Sequence, residues 1–155
     1  MIQIRKYISS DAPELWKLKH ETIHTVNCKD YSEEQVTAWS SCGDVPAPWQ
    51  KRADDMNPFV AMKDGVVVGF ADLQSDGYVD HFFCHKAYQR KGIGRALMVR
   101  LIEESRVNNL PLMYSNVSIT ARSFFEHFGF QVKEALKVNI NGVILQNFRM
   151  EKILH

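Results

Sequence analysis

Apolar and polar residues alternate over "IQIRKY", Ile2 to Tyr7, which predicts a half-buried strand. From Asp11 the period lengthens. Asp11 precedes Glu14 in a variant of the capping box, and Pro13 lies in the first turn. Ala12, Leu15, Leu18, Thr22, Ile23 and Val26 then recur at helical spacing. A second helix is predicted from Ser32, with Gln35 in the capping-box position, to about Ser40; "SCGDVPAPWQ" reads as a loop with its prolines. Strands follow at Phe59–Met62 and Val66–Leu73, joined by the turn Asp64-Gly65. The turn Asp76-Gly77 leads into the strand "YVDHFFCH", Tyr78 to His85. A helix carrying Ile93, Leu97 and Leu101 on one stripe ends near Asn108-Asn109, and "LPLMYS" is a short strand. Ser118 to Phe128 reads as a helix with Gly129 as its C-cap. Strands around Phe130–Ala135 and Val143–Lys152, joined at Asn141-Gly142, complete the order β-α-α-β-β-β-α-β-α-β-β. The expectation is one α/β domain over residues 1–155, with a mixed sheet and no repeat or linker.

Composition narrows the function classes. A net charge of +1 gives no electrostatic case for bulk binding to nucleic acid or membrane. Cys28, Cys42 and Cys84 are odd in number and lack C-x-x-C spacing, which suits reduced thiols in a cytoplasmic setting rather than a disulfide framework. The first residues lack the apolar core of a signal peptide, and no apolar run reaches a membrane span.

The chemistry concentrates in "AYQRKGIGRALMVRL", Ala87 to Leu101. Glycine costs about 1 kcal/mol relative to alanine inside a helix, so a turn holding Gly92 and Gly94 at a helix start needs bare backbone. Helix N-termini present unpaired N–H groups and partial positive charge, which suits phosphate oxygens. Arg90, Lys91 and Arg95 add charge around that point. The stretch is neither a Walker A loop, lacking G-K-[ST], nor a dinucleotide fingerprint, because Leu97 stands where the third glycine would fall.

Gln89-Arg90-Lys91-Gly92-Ile93-Gly94 resembles Q/R-x-x-G-x-G/A, the pyrophosphate loop of the GNAT N-acetyltransferase superfamily, and "ARSFFEHFGF" resembles that family's A-x-x-F-Y-E-x-x-G-F segment. The element order agrees, and the tail resembles small bacterial members of poorly defined substrate. The resemblance implies the GNAT fold: a mixed central sheet of about six to seven strands with about four helices, splayed at the cofactor site. It implies transfer of an acetyl group from acetyl-CoA to a primary amine by direct attack in a ternary complex, without a metal. The acceptor would be a small molecule or a peptide amine, and a homodimer is a candidate assembly. The alternative is a non-catalytic sensor of CoA on the same fold. By resemblance, Phe82, Phe83 and Cys84 form the strand end that pairs with pantetheine, and the loop from Gln89 through Arg95, Ile93 included, holds the pyrophosphate. Ser118 stands where the family often has a pantetheine-binding Asn. Phe125 replaces the tyrosine that many members use to protonate the leaving thiolate; Tyr114 and Tyr78 are the candidate substitutes.

A general base is also needed, because an ammonium must lose a proton before it attacks. Regular alternation would put Tyr78, Asp80, Phe82 and Cys84 on one face, whereas a bulge would bring His81 into play. The resemblance implies a carboxylate or histidine two or four residues before the splayed strand end, places held here by Tyr78 and Asp80, so Asp80 is the first choice and His81 the second; Cys84 suits a small buried residue better than a nucleophile. "HETIH", His20 to His24, matches the zinc motif H-E-x-x-H, but both histidines fall off the apolar stripe toward solvent and no third ligand segment follows. Trp39, Trp49 and Tyr31 lie where the family walls its acceptor site, and suit either an apolar or cationic acceptor or ordinary packing.

Overall fold

The structure, a computed structural model, describes residues 1–154. One sheet is antiparallel and runs in the order β1 (Ile2–Lys6), β2 (Phe59–Lys63), β3 (Val66–Ala71), β5 (Phe82–Cys84). A second runs β4 (Tyr78–Val79), β6 (Leu112–Ser118), β8 (Val143–Ile153), β7 (Gln131–Ile140), with β4 and β6 parallel. The helices are α1 (Ala12–Thr25), α2 (Glu33–Trp39), α3 (Trp49–Met56), α4 (Ile93–Val107) and α5 (Arg122–His127).

Strand alternation sorts the first sheet into two packed faces. Val60 and Phe70 pack against Leu15 and Leu18 of α1 and Trp49 of α3. Ala61 and Ala71 turn to the other side, joined by Val68 at the register shift between β2 and β3, where Ile93, Leu97 and Leu101 of α4 also meet Met113 and Phe148 of the second sheet. The stripe of α4 thus closes a core common to both sheets.

The sequence-predicted strand Tyr78–His85 is broken in two. Tyr78 and Val79 pair with Tyr114 and Ser115, while Phe82 and Cys84 pair with Ala71 and Gly69. Asp72 causes the break. Its Oδ1 accepts the N–H groups of Asp80 and His81, both at 2.8 Å, and its own N–H donates to the His81 carbonyl at 3.1 Å. A side chain thus takes the donors that a continuous ladder would use, and the chain passes from one sheet to the other within two residues.

Asp72 is fully buried, and burial pushes its carboxyl up to about 6 from an ordinary 3.8. A raised folded value means that this group favours the fold below about pH 4 and that the benefit is lost as pH rises through 6. Asn keeps an oxygen acceptor and does not ionise. Asp72→Asn should therefore exceed the wild type in stability by about 2 kcal/mol at pH 8 and lose that advantage near pH 4. Urea melts at the two pH values check this; an equal difference at both would show that the buried carboxylate carries no ionisation penalty.

Three sequence expectations are corrected. Asp11 does not cap α1: Arg5 donates to both its carboxylate oxygens at 2.8 and 2.9 Å, and Oδ2 accepts the Ile8 N–H at 2.9 Å, closing a 3-10 turn at Ser9–Asp11. The expected loop ends early: α3 starts at Trp49, directly after Pro48, and runs to Met56. The segment expected as a helix from Ser118 remains in β6 through that residue, and α5 starts at Arg122. Ser32 and Gln35 do form the expected reciprocal capping box on α2.

Candidate active site

Because β5 is held by β3 while β4 is held by β6, β5 and β6 diverge. The gap is a cleft of about 790 Å³. Asp80, Phe82, Phe83 and Cys84 form one wall and Ser115 to Ser118 the other. Gln89, Arg90, Gly92, Ile93, Gly94 and Arg95 close one end, with Phe124 and Phe125 beside them; Asn27, Asp30 and Trp39 lie toward α1 and α2.

The loop end is built for an anion. Gln89 Nε2 donates to the carbonyls of Cys84 at 2.9 Å and His85 at 3.2 Å, tying the loop to the end of β5. Gly92 caps α4 with φ of 84°, a left-handed conformation that favours glycine. Ala96 is the first residue to donate within the helix, to the Gly92 carbonyl at 3.1 Å. The N–H groups of Ile93, Gly94 and Arg95 precede it and have no partner among the described residues. Arg90, Lys91 and Arg95 are exposed and, among the described residues, make no ion pair; Lys91 stands beside the cleft rather than lining it. Unpaired helix donors with free cations form an anion site. Gly94 has a further reason for lacking a side chain: a Cβ there would meet the Phe124 ring at 3.1 Å.

The β5 wall offers backbone. His81 and His85 pair toward β3, through Asp72 N–H to the His81 carbonyl and His85 N–H to the Val68 carbonyl. By alternation, the polar groups of Phe82 and Cys84 point away from β3, into the gap. The Cys84 carbonyl is taken by Thr22 Oγ1 at 3.0 Å and by Gln89. The Phe82 N–H and carbonyl and the Cys84 N–H remain on a free edge.

At the strand break, His81 turns inward and Asp80 outward. His81 is 3 % exposed, packed on Phe70, Phe83 and Trp49. Its Nδ1 lies 3.1 Å from Asp80 Oδ2, out of line for a hydrogen bond, and its Nε2 lies 3.1 Å from Lys19 Nζ. Arg52 Nη2 meets the same Asp80 oxygen at 3.0 Å. His81 and Arg52 hold the Asp80 carboxyl far below the usual carboxylate range, whereas burial lowers His81 to about 4. Near neutral pH the carboxylate is therefore charged and the imidazole neutral. Lys19, absent from the sequence expectations, is buried on α1 with its ammonium over the rings of Trp16 and Trp49 at 5.4 and 5.3 Å. Its signal in the sequence was position: it stands four residues after Leu15, on the buried stripe.

The remaining candidates are dispersed. Tyr114 does not line the cleft; its hydroxyl donates to Asp76 and its ring carries the Arg149 guanidinium at 4.2 Å. Tyr78, also outside the lining, packs on Tyr114 at 5.0 Å, and burial raises its hydroxyl, with Asp80 adding to the shift. Phe125 lines the cleft, edge-on to Phe82 at 5.6 Å. Ser118 lines it too, its Oγ accepting the Ala121 N–H at 3.1 Å. Burial pushes the Cys84 thiol up to about 12, so it stays protonated and a poor nucleophile.

His20 and His24 do not face open solvent. Their rings pair at 4.4 Å, and both bind Ser40 at the end of α2: His20 Nδ1 lies 2.7 Å from its hydroxyl and His24 Nε2 2.6 Å from its carbonyl. The H-E-x-x-H motif thus joins α1 to α2. No group of three or more metal-ligating side chains occurs among the described residues. Trp49 belongs to the core, donating to the Ala12 carbonyl at 2.7 Å, and the Tyr31 hydroxyl bridges Gln146 and Ile119; of these three aromatics, Trp39 reaches the cleft. No helix among the described residues is long and apolar enough to cross a membrane.

A mixed sheet parted at one strand pair, with an anion-binding helix start at the parting, is the arrangement that the GNAT resemblance implies. Residues 27–152 match the Acetyltransferase (GNAT) domain family, and the chain belongs to that family. It is an acetyl-CoA-dependent acyltransferase. It is 29% identical over 149 residues to the uncharacterised N-acetyltransferase YafP of Escherichia coli K12, covering 96% of this chain and 94% of that one. A GCN5-related N-acetyltransferase from Rhodopseudomonas palustris superposes with a TM-score of 0.92 at 30% identity, covering 98% of this chain and 95% of the other. The fold is also that of the Thermoplasma acidophilum PaiA N-acetyltransferase solved with coenzyme A, at a TM-score of 0.75 and 19% identity over 99% of each chain.

Proposed function

We propose that the chain transfers an acetyl group from acetyl-CoA to a primary amine of a small molecule or peptide, by direct attack in a ternary complex. The observation that carries this reading is the cleft between β5 and β6, with unpaired helix donors at one end and a charged carboxylate on its wall. Bound acetyl-CoA supplies an electrophilic thioester carbonyl. The free edge at Phe82 and Cys84 hydrogen-bonds the pantetheine arm, and the Gln89–Arg95 loop takes the pyrophosphate. Ser118 offers a further hydroxyl to that arm. Asp80 attracts the acceptor ammonium and takes its proton. Cys84, a neutral thiol, forms no acyl-enzyme, and Phe125 has no proton to give to the leaving thiolate.

Calorimetry with acetyl-CoA, and with free CoA alongside, is the primary test. Micromolar binding followed by acetyl transfer in a panel of primary amines supports the reading. No binding at millimolar ligand removes it, and binding without turnover on any amine favours the sensor alternative.

A further inference from the structure

Asp80 can take a proton from an ammonium only briefly. Its two cationic or polar neighbours hold it as a carboxylate, so a proton placed on it must move on quickly. Arg52 cannot accept one. The structure provides another recipient. His81 Nδ1 is buried, without a hydrogen-bond partner, and 3.1 Å from Asp80 Oδ2. Across the same ring, Nε2 lies 3.1 Å from Lys19 Nζ. We propose that Lys19 is the terminal proton acceptor of a buried relay that runs from Asp80 at the cleft wall through the His81 imidazole. This rests on the transferase reading above.

The step balances in protons. Before transfer, Lys19 is a neutral amine accepting from Nε2–H, and Nδ1 carries a lone pair toward Asp80. The acceptor ammonium gives its proton to Asp80, whose half-buried carboxyl, out of line with the ring at rest, turns toward it and passes one to Nδ1. Nε2–H gives its proton to Lys19, and the nitrogen lone pair of the acceptor is left free to attack. Afterwards Lys19 is an ammonium donating to Nε2, and His81 has changed tautomer while staying neutral throughout. The return path, after product leaves, is the same chain in reverse to water in the cleft.

The surroundings suit this use. Burial and the Arg52 charge lower Lys19 to about 8, with Asp80 opposing, so both of its protonation states are reachable near neutrality. The charged groups facing the pair are Arg52 from α3, Asp80 from the strand break and, through the His81 backbone, Asp72. The other neighbours of Lys19 are aromatic faces, which favour its cationic state without taking a proton.

The two states differ in which ring nitrogen of His81 bears hydrogen, which side-chain ¹⁵N NMR reads directly. His81→Gln assigns the signals among the six histidines. In the wild type, His81 should change from the Nδ1–H to the Nε2–H tautomer as pH rises through about 8, in step with Lys19 Nζ. In Lys19→Met the change should disappear. With an amine found in the panel, Lys19→Met should also lower kcat by about 10²-fold and lose the rise in rate through pH 8, at unchanged acetyl-CoA affinity. A single tautomer across that range in wild-type protein that binds acetyl-CoA overturns the relay and leaves the transferase reading standing. That arm does not depend on the folding of Lys19→Met. A tautomer change that persists in folded Lys19→Met overturns the relay equally.

Discussion

Reversing three charges at once (R90E/K91E/R95E) should weaken acetyl-CoA binding by at least about 10³-fold while leaving the melting temperature nearly unchanged. The two halves of this expectation have separate grounds. All three side chains are exposed and, among the described residues, without an ion-pair partner, so their loss removes little from the fold. Toward a pyrophosphate each can make a charge-assisted hydrogen bond of about 1.5–3 kcal/mol, and a carboxylate in its place repels the ligand. Calorimetry at two salt concentrations checks it: the wild-type affinity should fall with added salt, and the residual affinity of the variant should not. An unchanged Kd in the folded variant would show that the loop does not hold the phosphates. Gly94→Trp is a poorer probe, because Phe124 already occupies the space above Gly94.

Asp80→Asn should lower kcat with a panel amine on the order of 10³-fold and leave the acetyl-CoA Kd within a factor of two or so. Asn has the same shape, but it neither attracts an ammonium nor takes its proton. The split between kcat and cofactor affinity separates this role from a collapse of the cleft. The acid limb of the wild-type pH–rate profile should not belong to Asp80, whose carboxyl ionises far below the usual range. A depressed value also means that the ionised Asp80 stabilises the fold above its ordinary 3.8 and that this benefit is lost as pH falls. Asp80→Asn should consequently cost some stability at neutral pH. Turnover equal to wild type would remove Asp80 from the chemistry.

Much of this architecture was legible from periodicity and turn chemistry. The strand at Ile2 shows in its alternation, the capping box at Ser32 and the glycine turn before α4 rest on contacts within a few residues, and each stands where expected. The family resemblance added the cleft and its loop. What stayed hidden depends on contacts between distant segments. α3 was masked by two prolines, although Trp49, Ala53 and Met56 lie at helical spacing; Pro48 is its N-cap. Lys19 stands at a position of the buried stripe, but nothing local names the partners, Trp49 and His81, that arrive from elsewhere to bury it. Asp72 reads as a strand-end carboxylate, and nothing local says that it will take two backbone donors eight and nine residues away. A bulge bringing His81 into play was the alternative to regular alternation; a change of sheet partner was neither.

That change of partner has a mechanical consequence. The two sheets are not laced together by a hydrogen-bond ladder at β5 and β6, so the width of the gap is set by what presses on it from the side. The piece that spans both is α4, whose Leu97 and Leu101 share one core with Val68 on one jaw and Met113 on the other. α4 also begins at the anion-binding loop. Its packing therefore fixes two dimensions together, the opening of the jaws and the position of the free N–H groups at their end. A methylene added or removed in that shared core acts as an adjustment of the clamp, felt at the site without any change in the residues that line it.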